Sequence, residues 1–229
     1  MRSLAEVLYN FHWVVPGEAS RSAQAYAGFL GPFLRGRGIR SVINLRGPNP
    51  DFGWWRSEKK TCERLGIAHF DVRVNSRTLP ARRTLLDLFG AVDKSQRPFL
   101  IKCSGGQDRT SFASSLYIVD RFGWSAAAQA QQQFAGWPYL HMPKRHQRWA
   151  RLFLTYAREK AGDLPIRQWI AADYTPEDFM AWLDARGLQA SFRNLPGQHA
   201  RVLKPASPHP HPPHKGEGIL SPHFSTLPD

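Results

Sequence analysis

Apolar positions along this chain fall into short β-branched runs separated by longer stretches of helical period. Residues 39–47 (Ile-Arg-Ser-Val-Ile-Asn-Leu-Arg-Gly), 67–74 and 98–102 read as strands, bounded by glycine, proline and polar turns. Between them, residues 55–65 predict a helix closed by Gly66, and residues 81–94 carry Leu85, Leu86, Leu88, Phe89 and Val92 on one stripe. Toward the N-terminus, residues 11–19 predict a strand pair turning at Pro16-Gly17, followed by a helix opening at Ser20 and running to about Arg35. Alternation of strand and helix predicts an α/β fold, a central mostly parallel sheet flanked by helices on both faces.

The most informative stretch is residues 97–119. An apolar strand, Phe99-Leu100-Ile101-Lys102, ends at Cys103, and the loop Ser104-Gly105-Gly106-Gln107-Asp108 leads to Arg109 and Thr110 at the start of an apolar-faced helix. Paired glycines let several backbone N–H groups turn toward one point, and the helix N-terminus faces that point too, which together make an anion cradle. The same positive end would draw Cys103 toward the thiolate, and a thiolate beside a bound phosphate is a nucleophile. Arg109 has the planar fork to hold two phosphoryl oxygens, and Thr110 a hydroxyl for the sulfur. Ser104, Gly105, Gly106, Gln107, Asp108 and Arg109 are the substrate-binding candidates.

This segment resembles the Cys-x5-Arg-Ser/Thr loop of the cysteine-dependent protein tyrosine and dual-specificity phosphatases. Its Asp-Arg-Thr ending is similar to loops of small bacterial and fungal dual-specificity-like members and of the myotubularins. Weaker support comes from Arg21-Ser22-Ala23-Gln24 and from Val42-Ile43-Asn44-Leu45-Arg46, which are similar to phrases of the same family. Two positions depart from its pattern: Lys102 stands where histidine is usual, and Ser111 where glycine often follows. The resemblance spans residues 11–160 and implies a dual-specificity phosphatase-like fold and phosphate monoester hydrolysis through a phosphocysteine, with no metal or other cofactor. The implied substrate is a phosphorylated protein; a phosphoinositide or inositol phosphate is the alternative, and a catalytically weak phosphate-binding module a further one. Arsenate reduction or sulfur transfer would need resolving cysteines, and only Cys62 is present.

Phosphoryl transfer to sulfur leaves an alkoxide or phenoxide that needs a proton. Asp71, 32 residues before Cys103, stands at about the separation the resemblance implies for the general acid, and Asp108 within the loop is the rival. Asn44, Arg46 and Arg21 are candidates for supporting contacts around the loop. Trp137 and Tyr139 either flank the pocket or pack a corner.

The chain of 229 residues carries a formal charge of +13, 42% apolar residues and 12% aromatic ones. That is enough for one sizeable core, and the charge favours anionic partners. No nucleic-acid-binding module accompanies it. With two cysteines, one claimed for catalysis, a reducing, cytoplasmic setting is expected; Cys62 reads as a core residue or as a partner for oxidised Cys103. Neither a signal peptide nor a membrane-spanning segment is expected.

Further helices are predicted at 126–134, 144–160, 166–172 and from Pro176, capped by Thr175, to about 186. The organisation expected is a catalytic domain over 1–162, a helical extension over 163–193 and a disordered tail over 194–229. In that tail His209, His211 and His214 lie among prolines and form no defined metal site. The sequence leaves the oligomeric state open.

Overall fold

The computed structural model describes residues 7–25 and 27–188. Five strands form one sheet: β1 (His12–Val15), β2 (Ala19–Ser22), β3 (Ser41–Asn44), β4 (Ala68–Asp71) and β5 (Phe99–Lys102), in spatial order β1-β2-β5-β3-β4. Only β1 runs antiparallel to its neighbour; the remaining pairings are parallel. Ser22, Lys102, Asn44 and Asp71 are in register across four strands, so four carboxyl ends form one row. In an open α/β sheet that is the ligand-binding end.

Helices cover both faces. α1 (Leu30–Arg35) and α2 (Gly53–Arg64) lie on one, where Leu34 and Cys62 pack against Val42 and Leu100. On the other lie α3 (Arg82–Lys94), α4 (Asp108–Phe122), α5 (Ala127–Gln132), α6 (Trp149–Ala161), α7 (Ile166–Ala172) and α8 (Pro176–Asp184), around Ile43, Phe99 and Ile101. The mostly parallel sheet with helices on both faces is the architecture the alternating pattern predicts. No helix among the described residues is long and apolar enough to cross a membrane.

One element differs from the sequence reading. A helix is expected to open at Ser20, yet Ala19–Ser22 is a strand buried along its whole length. Its polar residues are satisfied by bonds that no local pattern reveals: Ser20 Oγ donates to Phe99 O at 3.0 Å, and Arg21 bonds to the loop after β5. Buried polar groups are tolerated when so paired.

The C-terminal helices share the main core. Phe153 and Tyr156 of α6 meet Trp169, Tyr174, Phe179 and Trp182, with Tyr156 stacked on Phe179 at 4.6 Å between ring centroids. Tyr174 donates its hydroxyl to Pro80 O at 2.7 Å, and Arg167 bridges Asp93 and Asp120 at 2.6 Å each. Thr175 caps α8 by accepting from Asp178 N, with Pro176 in the first turn, as its sequence dictates. The Pro- and His-rich tail expected from residue 194 lies outside the described residues.

Because Trp169 is buried among aromatic rings of α6, Trp169→Ala should lower unfolding free energy by about 3–5 kcal/mol. Urea denaturation followed by circular dichroism should show one cooperative transition; separate melting of residues 166–184 would contradict the shared core.

Candidate active site

Cys103 follows β5 directly, and residues 104–107 form the turn into α4. The outward pull on the loop's carbonyls sets its conformation. Ser104 O accepts from Gln24 N at 3.1 Å; Gly106 O accepts from Arg21 at 2.8 Å and from Asn10 Nδ2 at 3.0 Å; Gln107 O accepts from Arg21 at 3.5 Å. Across a trans peptide the next N–H points the opposite way. The N–H groups of Gly105, Gln107 and Asp108 therefore turn toward the loop's centre.

Gly106 makes the tight approach possible. It adopts φ +62°, and a Cβ there would lie 2.5 Å from Ala23 N and 2.6 Å from Ser22 C. Both the conformation and the space demand glycine. Beneath it Arg21 is fully buried, donating also to Ser111 Oγ at 2.9 Å and to Gln133 O and Oε1 at 3.0 Å each, with Tyr139 stacked 4.4 Å from its guanidinium. Arg21 is thus a support of the loop from behind. Ser111, where glycine is usual, is one of its acceptors.

Cys103 Sγ lies 3.0 Å from Thr110 Oγ1. Burial opposes ionisation, but Arg109, the Thr110 hydroxyl and the backbone N–H groups of Gln107 and Gly106 outweigh it and hold the thiol below its ordinary value. Arg109 reaches over the loop to donate to Ser104 Oγ at 2.8 Å, exposed at the mouth. Arg109, Thr110 and the backbone N–H groups of Gly106 and Gln107 are therefore gathered around Cys103, with Ser104 at the mouth and Asp108 at the head of α4.

Lys102 points to the opposite face of the sheet. Buried there, it pairs with Glu58 at 2.6 Å and donates to Gln24 Oε1 at 2.7 Å. Burial draws the ammonium down from the usual lysine value while Glu58 opposes that. Burial would raise Glu58, yet bonds from His69, Lys102 and Gln24 hold its carboxyl below the usual range. Arg46 joins this cluster, bonding Gln24 Oε1 at 3.3 Å and lying 3.4 Å over the Trp54 ring.

Asp71 sits on the Lys102 face, two strand spacings (about 10 Å) from β5. Its carboxylate accepts from Asn44 Nδ2 at 2.6 Å and from Trp55 Nε1 at 3.0 and 3.1 Å. Residues 72–80 after it contain no Asp or Glu. Asp108 is the first residue of α4, directly after the loop, and remains 21% exposed. Its Oδ1 is covered, without a hydrogen-bond partner, and faces His141 Nε2 at 3.3 Å, while His141 Nδ1 meets Phe134 O at 3.2 Å.

Asn10, Glu58, Gln133 and His141 escaped the sequence reading. Asn10 adopts φ +48° and bridges Gly106 O to Tyr139 O, a role signalled only by a polar residue between Tyr9 and Phe11. Glu58, Gln133 and His141 carry no local signal. Trp137 and Tyr139 divide: Tyr139 packs on Arg21 and His12, and Trp137 stands 79% exposed. Among the described residues no three His, Cys, Asp or Glu side chains gather as a metal ion would require.

Two outcomes follow. Cys103, held below its ordinary value, should react with iodoacetamide at lower pH than an unperturbed thiol, whereas Cys62, pushed up to about 12 chiefly by burial, should stay unlabelled in the native protein; mass spectrometry after labelling at graded pH reads both. Glu58→Gln should cost about 3–5 kcal/mol by stranding Lys102. Since the Glu58 carboxyl is held below its ordinary value in the folded state, its contribution is present above that ordinary value and lost as pH falls through the folded one. The acid limb of a stability profile should therefore flatten in the variant.

No protein-family model matches the sequence, and no curated protein matches it. Solved structures do. P. aeruginosa TpbA is 17% identical with TM-score 0.51, covering 72% of this chain and 92% of TpbA; a structure titled as its complex with phosphotyrosine, also at 17% and 0.51, covers 75% and 99%. A putative phosphatase from Shewanella putrefaciens is 18% identical with TM-score 0.50, covering 67% of this chain and 97% of its own. What these share with the chain is architecture: it has the fold of the cysteine-dependent protein tyrosine and dual-specificity phosphatases.

Proposed function

We propose that the protein hydrolyses phosphate monoesters through a phosphocysteine formed on Cys103. The observation that carries this reading is a thiol held below its ordinary value inside a ring of inward N–H groups, with Arg109 beside it. In the first step the Cys103 thiolate attacks phosphorus in line, the bond to the leaving oxygen breaks, and that oxygen takes a proton. Inward amides and Arg109, which exchanges Ser104 Oγ for phosphate oxygens, balance the equatorial charge. Water then attacks phosphorus, the P–S bond breaks, and the Thr110 hydroxyl stabilises the departing thiolate.

For the proton donor and later base, the geometry favours Asp108 over Asp71. Asp108 directly follows the loop and is partly exposed, whereas both Asp71 oxygens accept fixed bonds from Asn44 and Trp55 on the Lys102 face. Asp71 then serves to tie β3, β4 and α2 together. Lys102 is charge-balanced by Glu58 on the far face, so replacement of the usual histidine leaves thiol activation to Arg109, Thr110 and the loop amides.

Phosphotyrosine in a protein is the first substrate of this reading, supported by the complex of P. aeruginosa TpbA with phosphotyrosine on the same fold. A phosphoinositide or inositol phosphate is the second, supported by the chain's strongly basic formal charge of +13, which suits a substrate of many negative charges. Two free cysteines, one of them the nucleophile, suit a reducing compartment such as the cytoplasm.

Phosphate release in the presence of a chelator tests the reading. Wild type should turn over aryl phosphate and phosphotyrosine peptide, and Cys103→Ser should lose essentially all activity. Asp108→Asn should lose about 10²–10⁴-fold with phenyl phosphate and much less with p-nitrophenyl phosphate, whose leaving group needs no proton. Asp71→Asn should show no such dependence on the leaving group. A wild type that binds phosphate but turns over nothing would leave only a binding module.

A further inference from the structure

Residues 137–148 run past the phosphate loop and present an unusual surface. The segment is fastened inward: Asn10 joins Tyr139 O to Gly106 O, Tyr139 packs on Arg21, and His141 faces Asp108. Tyr139 and His141 turn inward while Leu140, in the left-handed region at φ +55°, and Met142 turn outward. Trp137 stands on the turn closed by Leu140 N donating to Gly136 O at 2.8 Å. Trp137 is 79% exposed, Met142 77% and Leu140 42%. Three large apolar side chains are thereby held in water by a segment whose other side chains are fixed.

The charge around them has one sign. From Arg121 to Arg158 the chain contains no Asp or Glu, while exposed Lys144, Arg145, Arg148 and Arg151 follow directly on Met142. None of these four cations is in an ion pair among the described residues. Arg77 adds to them, since its neighbour Ser76 accepts from Gln147 Nε2 at 3.1 Å and, through its carbonyl, from Trp149 Nε1 at 3.2 Å. A projecting tryptophan with methionine and leucine, ringed by unpaired cations, matches an anionic bilayer surface. The indole and thioether enter the boundary between headgroups and chains, and the cations meet lipid phosphates and carboxylates. A projecting turn suits a fluid that closes round it, where a protein partner would need a matching pocket.

We infer that this face docks the protein on anionic lipid bilayers. The inference goes beyond the proposed hydrolysis and is read out without it.

Co-sedimentation of the full chain with phosphatidylcholine vesicles, with and without phosphatidylserine, is the test. Wild type should bind the anionic vesicles, release as salt rises, and ignore the neutral ones. Lys144→Gln with Arg145→Gln should weaken binding by roughly 25-fold, about fivefold per charge. Trp137→Ser with Met142→Ser should weaken it at least tenfold by removing the inserted side chains, roughly as buried apolar surface scales. Turnover of a small soluble aryl phosphate should be unchanged in both double variants, which also confirms that they fold.

Absence of binding, equal binding to neutral vesicles, or variants that bind as wild type does would each overturn the inference. Retention by a phosphoprotein that the variants abolish, with no vesicle binding, would assign the face to a protein partner and overturn it likewise. Vesicle binding by a protein inert toward aryl phosphate would sink the phosphatase reading and leave the docking surface standing.

Discussion

A guanidinium with no access to solvent underlies the phosphate loop, and the rest of the site follows from how it is satisfied. Burying a charge is costly unless its hydrogens find acceptors. The two terminal nitrogens of Arg21 find them in Gly106 O, Gln107 O, Ser111 Oγ and both oxygens of Gln133, with Tyr139 against its face, while Nε is left without a partner. Burial draws it down to about 10, with Tyr139 and Cys103 opposing, so it stays charged at neutral pH. By drawing loop carbonyls backward it turns the intervening N–H groups forward. The ring of inward N–H groups is thus the front of an arrangement whose back is a cation, and Gly106 is the residue thin enough to let the loop lie against the end of β2.

The pleat of β5 then sorts the chemistry. Lys102 and Cys103 are adjacent in sequence but point to opposite faces, one into the Glu58, His69 and Gln24 cluster beneath α2, the other toward α4 and Thr110. A lysine next to Cys103 therefore adds no competing donor inside the loop; its charge is balanced on the far side. The same alternation puts Asp71 in the row of Asn44 and Lys102, where its carboxylate ties strands to α2. Asp108, carried by the loop into the first turn of α4, is left on the Cys103 side.

Support for the loop also comes from far along the chain. Gln133, Tyr139 and His141 follow α5, while at the head of α6 Trp149 packs on Phe112 of α4 and donates to Ser76 O, and Tyr156 of the same helix packs with α7 and α8. Core packing at the C-terminal end and loop geometry at the site belong to one connected set of contacts, with exposed side chains of residues 137–142 on its outer edge.

The sequence by itself determined the strand, glycine-containing loop and helix from Phe99 through Val119, because those groups are contiguous and the backbone alone carries Cys103, Arg109 and Thr110 to one place. It determined the α/β alternation for the same reason, through periods of two and of 3.6. Residues paired through space were not legible. Ala19–Ser22 shows no alternation of apolar and polar side chains, so its strand character depends on β1 and β5, and Arg21 on acceptors about 85 to 112 residues away. Asp71 had the right separation from Cys103 along the chain, but only the sheet register decided which face it occupies. Likewise, whether Trp137 packs a corner or faces water depended on the inward anchoring of Tyr139 and His141. Local backbone preferences are written in neighbouring residues; which buried polar group satisfies which is settled only when distant segments close the same space.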